Sequence, residues 1–158
     1  MIYSFLQNGD SAVTVQFKNE ISEEVNRRVT GLCNRIEAKH INGIIELVPT
    51  FASLTVFYDC TIISSKKLKK KIKSLINGGE CDVKSTAKVW NIPACYDDEF
   101  ALDMKNVCSH TALEREEVIK LHTSKPYLIY MLGFLPGFAY LGGMDERLFT
   151  PRLKTPRL

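Results

Sequence analysis

SAVTVQFKNEISEEVNRRVTGLCNRIEAKHINGIIELVPTFASLTVFY (residues 11–58) changes its apolar period twice, and those changes fix the fold class. Val13, Val15 and Phe17 alternate with polar neighbours, which is the period of a half-buried strand. From Ile21 the spacing lengthens. Ile21, Val25, Val29, Leu32 and Ile36 fall within roughly 80° of a helical wheel at about 100° per residue. Asn42-Gly43 ends that helix region, and GIIELVP (43–49) and SLTVFY (53–58) follow as two short strands around the Pro49-Thr50 turn.

Working outward, residues 1–6 are expected to pair with the first strand across the Asn8-Gly9-Asp10 turn. Downstream, SSKKLKKKIKSLI (64–76) reads as a helix. Leu68, Ile72, Leu75 and Ile76 share one arc, the lysines occupy the other, and Gly78-Gly79 stops it. TAKVWNI (86–92) reads as a closing strand. From residue 11 the order is therefore β-α-β-β-α-β with one extra strand before it. That order predicts an α+β, ferredoxin-like sandwich with two helices on one face of an antiparallel sheet.

The whole chain has 158 residues, 45% of them hydrophobic and 25% charged, a globular composition that excludes disorder. No run of about 18 apolar residues is present, so no membrane span is expected. MIYSFLQNGD lacks the basic and apolar regions of a signal peptide, and a cytoplasmic location is expected. The net charge of +3 comes from 21 Lys and Arg against 18 Asp and Glu, and six of the lysines lie in residues 64–76. Removing those six leaves 15 basic against 18 acidic residues, or −3, so nucleic acid is not the expected partner. Cys33, Cys60, Cys81, Cys95 and Cys108 contain no CxxC, and His40, His110 and His122 are not clustered with them. Neither a metal site nor a disulfide framework is expected, and buried free thiols are the simpler assignment.

The second half has another texture, with five of the six prolines at or after Pro93. Residues 100–109 read as a short helix. Thr111 and Glu114 have the spacing of a capping box for a second helix, LEREEVIKLH, and YLIYML (127–132) reads as a strand. The domain boundary is placed near residues 85–90, giving domains 1–86 and 87–158. GFLPGFAYLGG (133–143) then holds four of the nine glycines. Gly133, Gly137, Gly142 and Gly143 permit close backbone approach, Pro136 fixes one φ, and Phe134, Phe138 and Tyr140 add rigid apolar surface. Such a loop is able to turn backbone N–H groups toward an anion while its aromatics exclude water, or simply to form a tight corner capping a core. Its spacing matches neither GxGxxG after a strand nor GxxxxGK[ST], so it licenses no nucleotide site. TPRLKTPRL (150–158) presents Arg152 and Arg157 on an extended arm, two guanidinium forks suited to carboxylate or phosphate. His122, at the end of a helix, is a weaker candidate for proton transfer.

GFLPGFAYLGGMDERL followed by two TPR tripeptides resembles the signature of the allophanate hydrolase subunit 1 family. GDSAVTVQF, GIIELVPTFASLTVFYD, IPACYD and EEVIKLH agree with it, so the resemblance covers essentially the whole chain. It implies a second domain of cyclophilin-like β-barrel fold, here truncated, because relatives continue beyond the second TPR. It also puts Glu114 where relatives carry Ser before Glu-Glu-Val. The function implied is that of the B subunit of a bacterial ATP-dependent 5-oxoprolinase, opening 5-oxoproline to glutamate. Its implied partners are a sister barrel subunit and a lactam-hydrolase subunit, with ATP used by the complex and no cofactor held by this chain alone. The alternative implied is a KipI-like inhibitor of sensor histidine kinases, and the third is an allophanate hydrolase subunit. In the first case Arg152 and Arg157 are anion partners, the loop glycines backbone donors, and Phe134, Phe138 and Tyr140 the dry walls. An unfinished sheet edge would also favour a homodimer.

Overall fold

In the computed structural model, which describes residues 2–78 and 88–155, the chain divides into two compact units. One holds residues through Thr86 together with Ile129–Tyr140, and the other holds Ala87–Leu128 and Leu141–Leu158.

The first unit follows the switches of period. Strands β1 (Ser4–Asn8) and β2 (Ala12–Gln16) precede helix α1 (Glu23–Ala38); β3 (Ile44–Pro49), β4 (Ser53–Tyr58) and helix α2 (Ser65–Asn77) follow. The four strands form one sheet in the order β1-β2-β4-β3, every neighbouring pair antiparallel. Ser22 caps α1 by accepting from the Val25 amide, and Ser64 caps α2 by accepting from that of Lys67. Ile21, counted above among the apolar helix positions, therefore precedes α1, and it is exposed.

Val13 faces Val56 and Val15 faces Leu54 across β2 and β4. Both pairs are fully buried against Val29, Leu32 and Ile36 of α1 and Leu68 and Ile72 of α2. On the other face a polar row crosses three strands. The Asn8 side-chain amide donates to Thr14 Oγ1 at 2.6 Å, and that hydroxyl lies 2.7 Å from Thr55 Oγ1.

The closing strand expected over 86–92 is not found. Residues 88–92 carry no strand, and the beginning of that segment lies outside the described residues. A strand has only two edges, and β4 takes one edge of β2. The other is claimed locally by β1, through a turn in which Gly9 adopts φ +61°.

In the second unit α3 (Met104–Thr111), α4 (Arg115–Thr123) and a 3₁₀ turn (Glu146–Leu148) pack around Met104, Val118, Leu121 and Leu148. Arg115 holds the preceding segment to α4 by donating to Tyr96 O and pairing with Asp98. The proposed capping box does not form. Thr111 is the last residue of α3 and donates its hydroxyl back to Val107 O at 2.8 Å. Glu114 occupies the cap position of α4 without a side-chain bond. Of the expected barrel strands, β5 (Leu128–Leu132) and β6 (Ala139–Gly142) are described, paired as a two-stranded hairpin.

The four described cysteines are free, but only Cys33 is buried. Cys60 and Cys95 are exposed and Cys108 is half-buried, which corrects the assignment of all the thiols to the interior. Cys81 lies outside the described residues. No helix among them is long and apolar enough to cross a membrane.

Candidate functional site

The glycine–aromatic loop is the turn of the β5–β6 hairpin. Gly133 donates its amide to Phe138 O at 3.1 Å, Leu135 to Gly133 O at 2.8 Å, and Phe138 to Leu135 O at 3.0 Å. The Gly133 N–H is thus consumed inside the loop and is not offered to a ligand. The N–H groups of Phe134 and Gly137 have no acceptor among the described residues, and Pro136 has none to offer. Both Phe134 (φ +67°) and Gly137 (φ +79°) are left-handed. At Gly137 this is free of penalty, whereas at Phe134 it costs about 1 kcal/mol. That strain is invisible in composition, which points to the glycines alone. A Cβ at Gly133 would meet the Met131 methyl at 3.2 Å, so its small size serves packing.

The loop's aromatics continue into a chain of rings anchored in the first unit. Phe134 and Phe138 lie 5.7 Å apart between centroids, Phe138 and Tyr140 5.2 Å, Tyr140 and Phe51 5.8 Å, and Phe51 and Tyr130 5.3 Å. Three of the four pairs are edge-to-face, the arrangement that aligns ring edge with ring face. Phe51 is central because its turn is rigid: Thr50 donates its amide to Ser53 O at 2.8 Å, and the Ser53 amide donates to Thr50 Oγ1 at 3.1 Å.

Asn26, almost completely buried on α1, ties this turn to the hairpin. Its side-chain amide donates to Thr50 O at 3.4 Å and to Tyr130 O at 3.1 Å. The spacing of residues does not single out Asn26, Phe51 or Tyr130. The one signal in the sequence is a polar Asn directly after Val25, flanking the apolar arc of the helix.

The remaining candidates belong to the second unit. His122 is exposed; its Nδ1 lies 2.5 Å from the Tyr96 hydroxyl, and its carbonyl accepts from the Tyr127 hydroxyl at 2.8 Å. Burial pushes the Tyr127 phenol up, with Tyr96 and Asp145 adding to the effect. Arg147 beside Asp145 holds that carboxyl down at about 2. Gly142 closes β6, and Gly143 follows it with φ +98°. Arg152 is exposed, with no hydrogen-bond or ion-pair partner among the described residues. Arg157 lies outside them. No group of three His, Cys, Asp or Glu side chains among the described residues is placed to hold a metal. A surface cleft of about 520 Å³ lined by Ile36, His40, Ile44 and Leu47 shares no residue with the loop.

The site is thus a glycine–aromatic hairpin that follows a four-stranded antiparallel sheet packed under two helices. The family model of the carboxyltransferase domain, subdomain C and D, matches residues 3–158, and the chain belongs to that family. Among its relatives is the 5-oxoprolinase B subunit of Bacillus subtilis (strain 168), 40% identical over 98% of this chain and 69% of that protein. The 5-oxoprolinase B subunit of Haemophilus influenzae is 31% identical over 94% of this chain and 68% of its own length. The crystal structure of TTHA0988 superposes with a TM-score of 0.76 at 32% identity over 92% of this chain. The chain spans only 27% of that larger polypeptide.

Proposed function

We propose that this chain is the B subunit of an ATP-dependent 5-oxoprolinase, which opens 5-oxoproline to glutamate. The observation that carries this is the 40% identity, over 98% of the chain, to a protein of that name. The chain is a non-autonomous subunit, acting in the cytoplasm with a sister barrel subunit and a lactam-hydrolase subunit. ATP hydrolysis by the complex supplies the drive for lactam opening, and this chain alone holds no cofactor.

Within that function, the ring series from Tyr130 to Phe134 supplies a dry apolar wall. The free N–H groups of Phe134 and Gly137 supply backbone donors for an oxyanion or carboxylate. Arg152 and Arg157 serve as anion partners, and His122 as a proton carrier. The finer fold assignment belongs to the same proposal: a ferredoxin-like sandwich in which β1 stands in for the closing strand, and a cyclophilin-like barrel to which residues 87–158 contribute.

Reconstitution with the partner subunits tests this, by glutamate release in the presence of 5-oxoproline and ATP. Turnover that depends on this chain is expected, and a complex equally active without it overturns the function. A loss of about tenfold or more is expected for the Arg152→Ala, Arg157→Ala double variant. Unchanged turnover overturns the arginine assignment alone.

A further inference from the structure

Helix α2 breaks the local electrostatic rules that α1 obeys. Lys66, Lys67, Lys69, Lys70, Lys71 and Lys73 place six like charges within about 10 Å of helix axis, one Debye length at ordinary salt. Lys66–Lys70, Lys67–Lys71 and Lys69–Lys73 are like-charged neighbours at i,i+4, each unfavourable by about 0.2–0.5 kcal/mol. The first turn contains no acid, and Lys66 and Lys67 stand there against the positive end of the helix dipole. None of the six has an ion-pair partner among the described residues. By contrast α1 places Glu23 and Glu24 in its first turn and pairs Glu24 with Arg28.

Packing does not require this pattern. Leu68, Ile72 and Ile76 fill the buried side, and any helix-forming polar residue would serve on the other. The uncompensated repulsion is relieved only by negative charge from outside the chain. The solvent side carries lysines, serines and an asparagine, with no aromatic ring to stack on a base and no apolar side chain to enter a bilayer. Without the six lysines the chain is −3, so an extended polyanion reaching past α2 meets net repulsion. A local acidic patch does not.

We propose that the lysine face of α2 is an electrostatic docking surface for an acidic face of a partner protein. For the identity of that partner the proposal rests on the subunit assignment above. Charge complementarity of this kind raises association rates by about 10 to 10³ and fades with salt.

The test is affinity for the partner subunits at roughly 50 and 300 mM salt, for the wild-type chain and the K66E/K70E/K73E variant. A second variant with Gln at the same three positions removes the charge without reversing it, and circular dichroism reports that both fold. The expected result is binding weakened at least tenfold by the Glu variant at low salt, an intermediate loss with Gln, and a salt dependence steepest in the wild type, smaller with Gln and smallest with Glu. Equal affinity of all three proteins at both salts overturns the proposal. A wild-type chain that joins no partner subunit overturns the subunit assignment instead, and a glutamate peptide no longer than α2 then decides. Binding to that peptide lost in the Glu variant supports the proposal, and equal or absent binding overturns it. Tighter binding to duplex DNA or to phosphatidylserine vesicles than to that short glutamate peptide overturns the choice of a protein partner.

Discussion

Asn26 and Tyr130 are 104 residues apart in the chain, yet the buried side-chain amide of one donates to the carbonyl of the other at 3.1 Å. The same amide reaches Thr50 O, so one side chain on α1 fixes both the turn that carries Phe51 and the strand that enters the glycine loop. Removing a buried donor from two carbonyls costs about 1–3 kcal/mol. Asn26→Ala is expected to lower stability by that amount in urea titration. Asn26→Asp is expected to lower it further at neutral pH, since a carboxylate faces two acceptors without a proton to give. Faster amide exchange in residues 128–140 of both variants checks that the loss is local to the hairpin.

At Gly137 the backbone is left-handed, and nothing lies within 4 Å of the position a Cβ would take. Gly137→Ala is therefore expected to cost about 1 kcal/mol through backbone strain alone. Gly137→Asn is expected to cost less, because Asn tolerates that region. Equal thermal shifts for the two variants would contradict the conformational explanation.

Phe51 contacts rings on both sides, and Phe51→Leu keeps apolar volume while removing its two aromatic partners. A loss of about 1–2 kcal/mol is expected from the two ring pairs. If the ring series lines a substrate wall, reconstituted turnover falls in the same variant by a rise in KM, which separates the two effects.

Acid should weaken the second unit through Asp145. Its carboxyl is held at about 2 in the folded chain, below its ordinary 3.8, first by the side-chain hydrogen bond from Arg147 and then by that residue's amide. A lowered folded value means that the contribution is complete above about 4 and is lost as the pH falls toward about 2. Asp59 and Asp98 are lowered too and act in the same direction. Melting temperatures measured between those limits are expected to fall less steeply in Asp145→Asn than in the wild type.

Thiol labelling should sort the described cysteines by environment. Cys60 and Cys95 are exposed and are expected to react fast, whereas burial, aided by Glu37, pushes the Cys33 thiol up. Peptide mapping after brief alkylation at neutral pH checks this, with Cys33 modified last.

Periodicity made the first unit legible because each element there buries one stripe or one face, and Val13, Val29 and Leu68 sit where their spacing places them. It misplaced the strand at 86–92 because alternation records a tendency to be extended and says nothing about which sheet edge is vacant. The glycines and aromatics of the loop stood out by composition. Asn26, Phe51 and the left-handed Phe134 did not, since their roles arise from contacts between segments distant in sequence and from a φ angle that no residue type announces.

The polar row formed by Asn8, Thr14 and Thr55 has a consequence for assembly. Slipping β2 or β4 by one residue exchanges the two faces, carrying a threonine under the helices and a valine or leucine out to water. Misregistered hairpins are thereby rejected twice, once for each face. The sheet is self-proofreading, and the long-range bond from Asn26 is made on a scaffold that offers a single alignment to receive it.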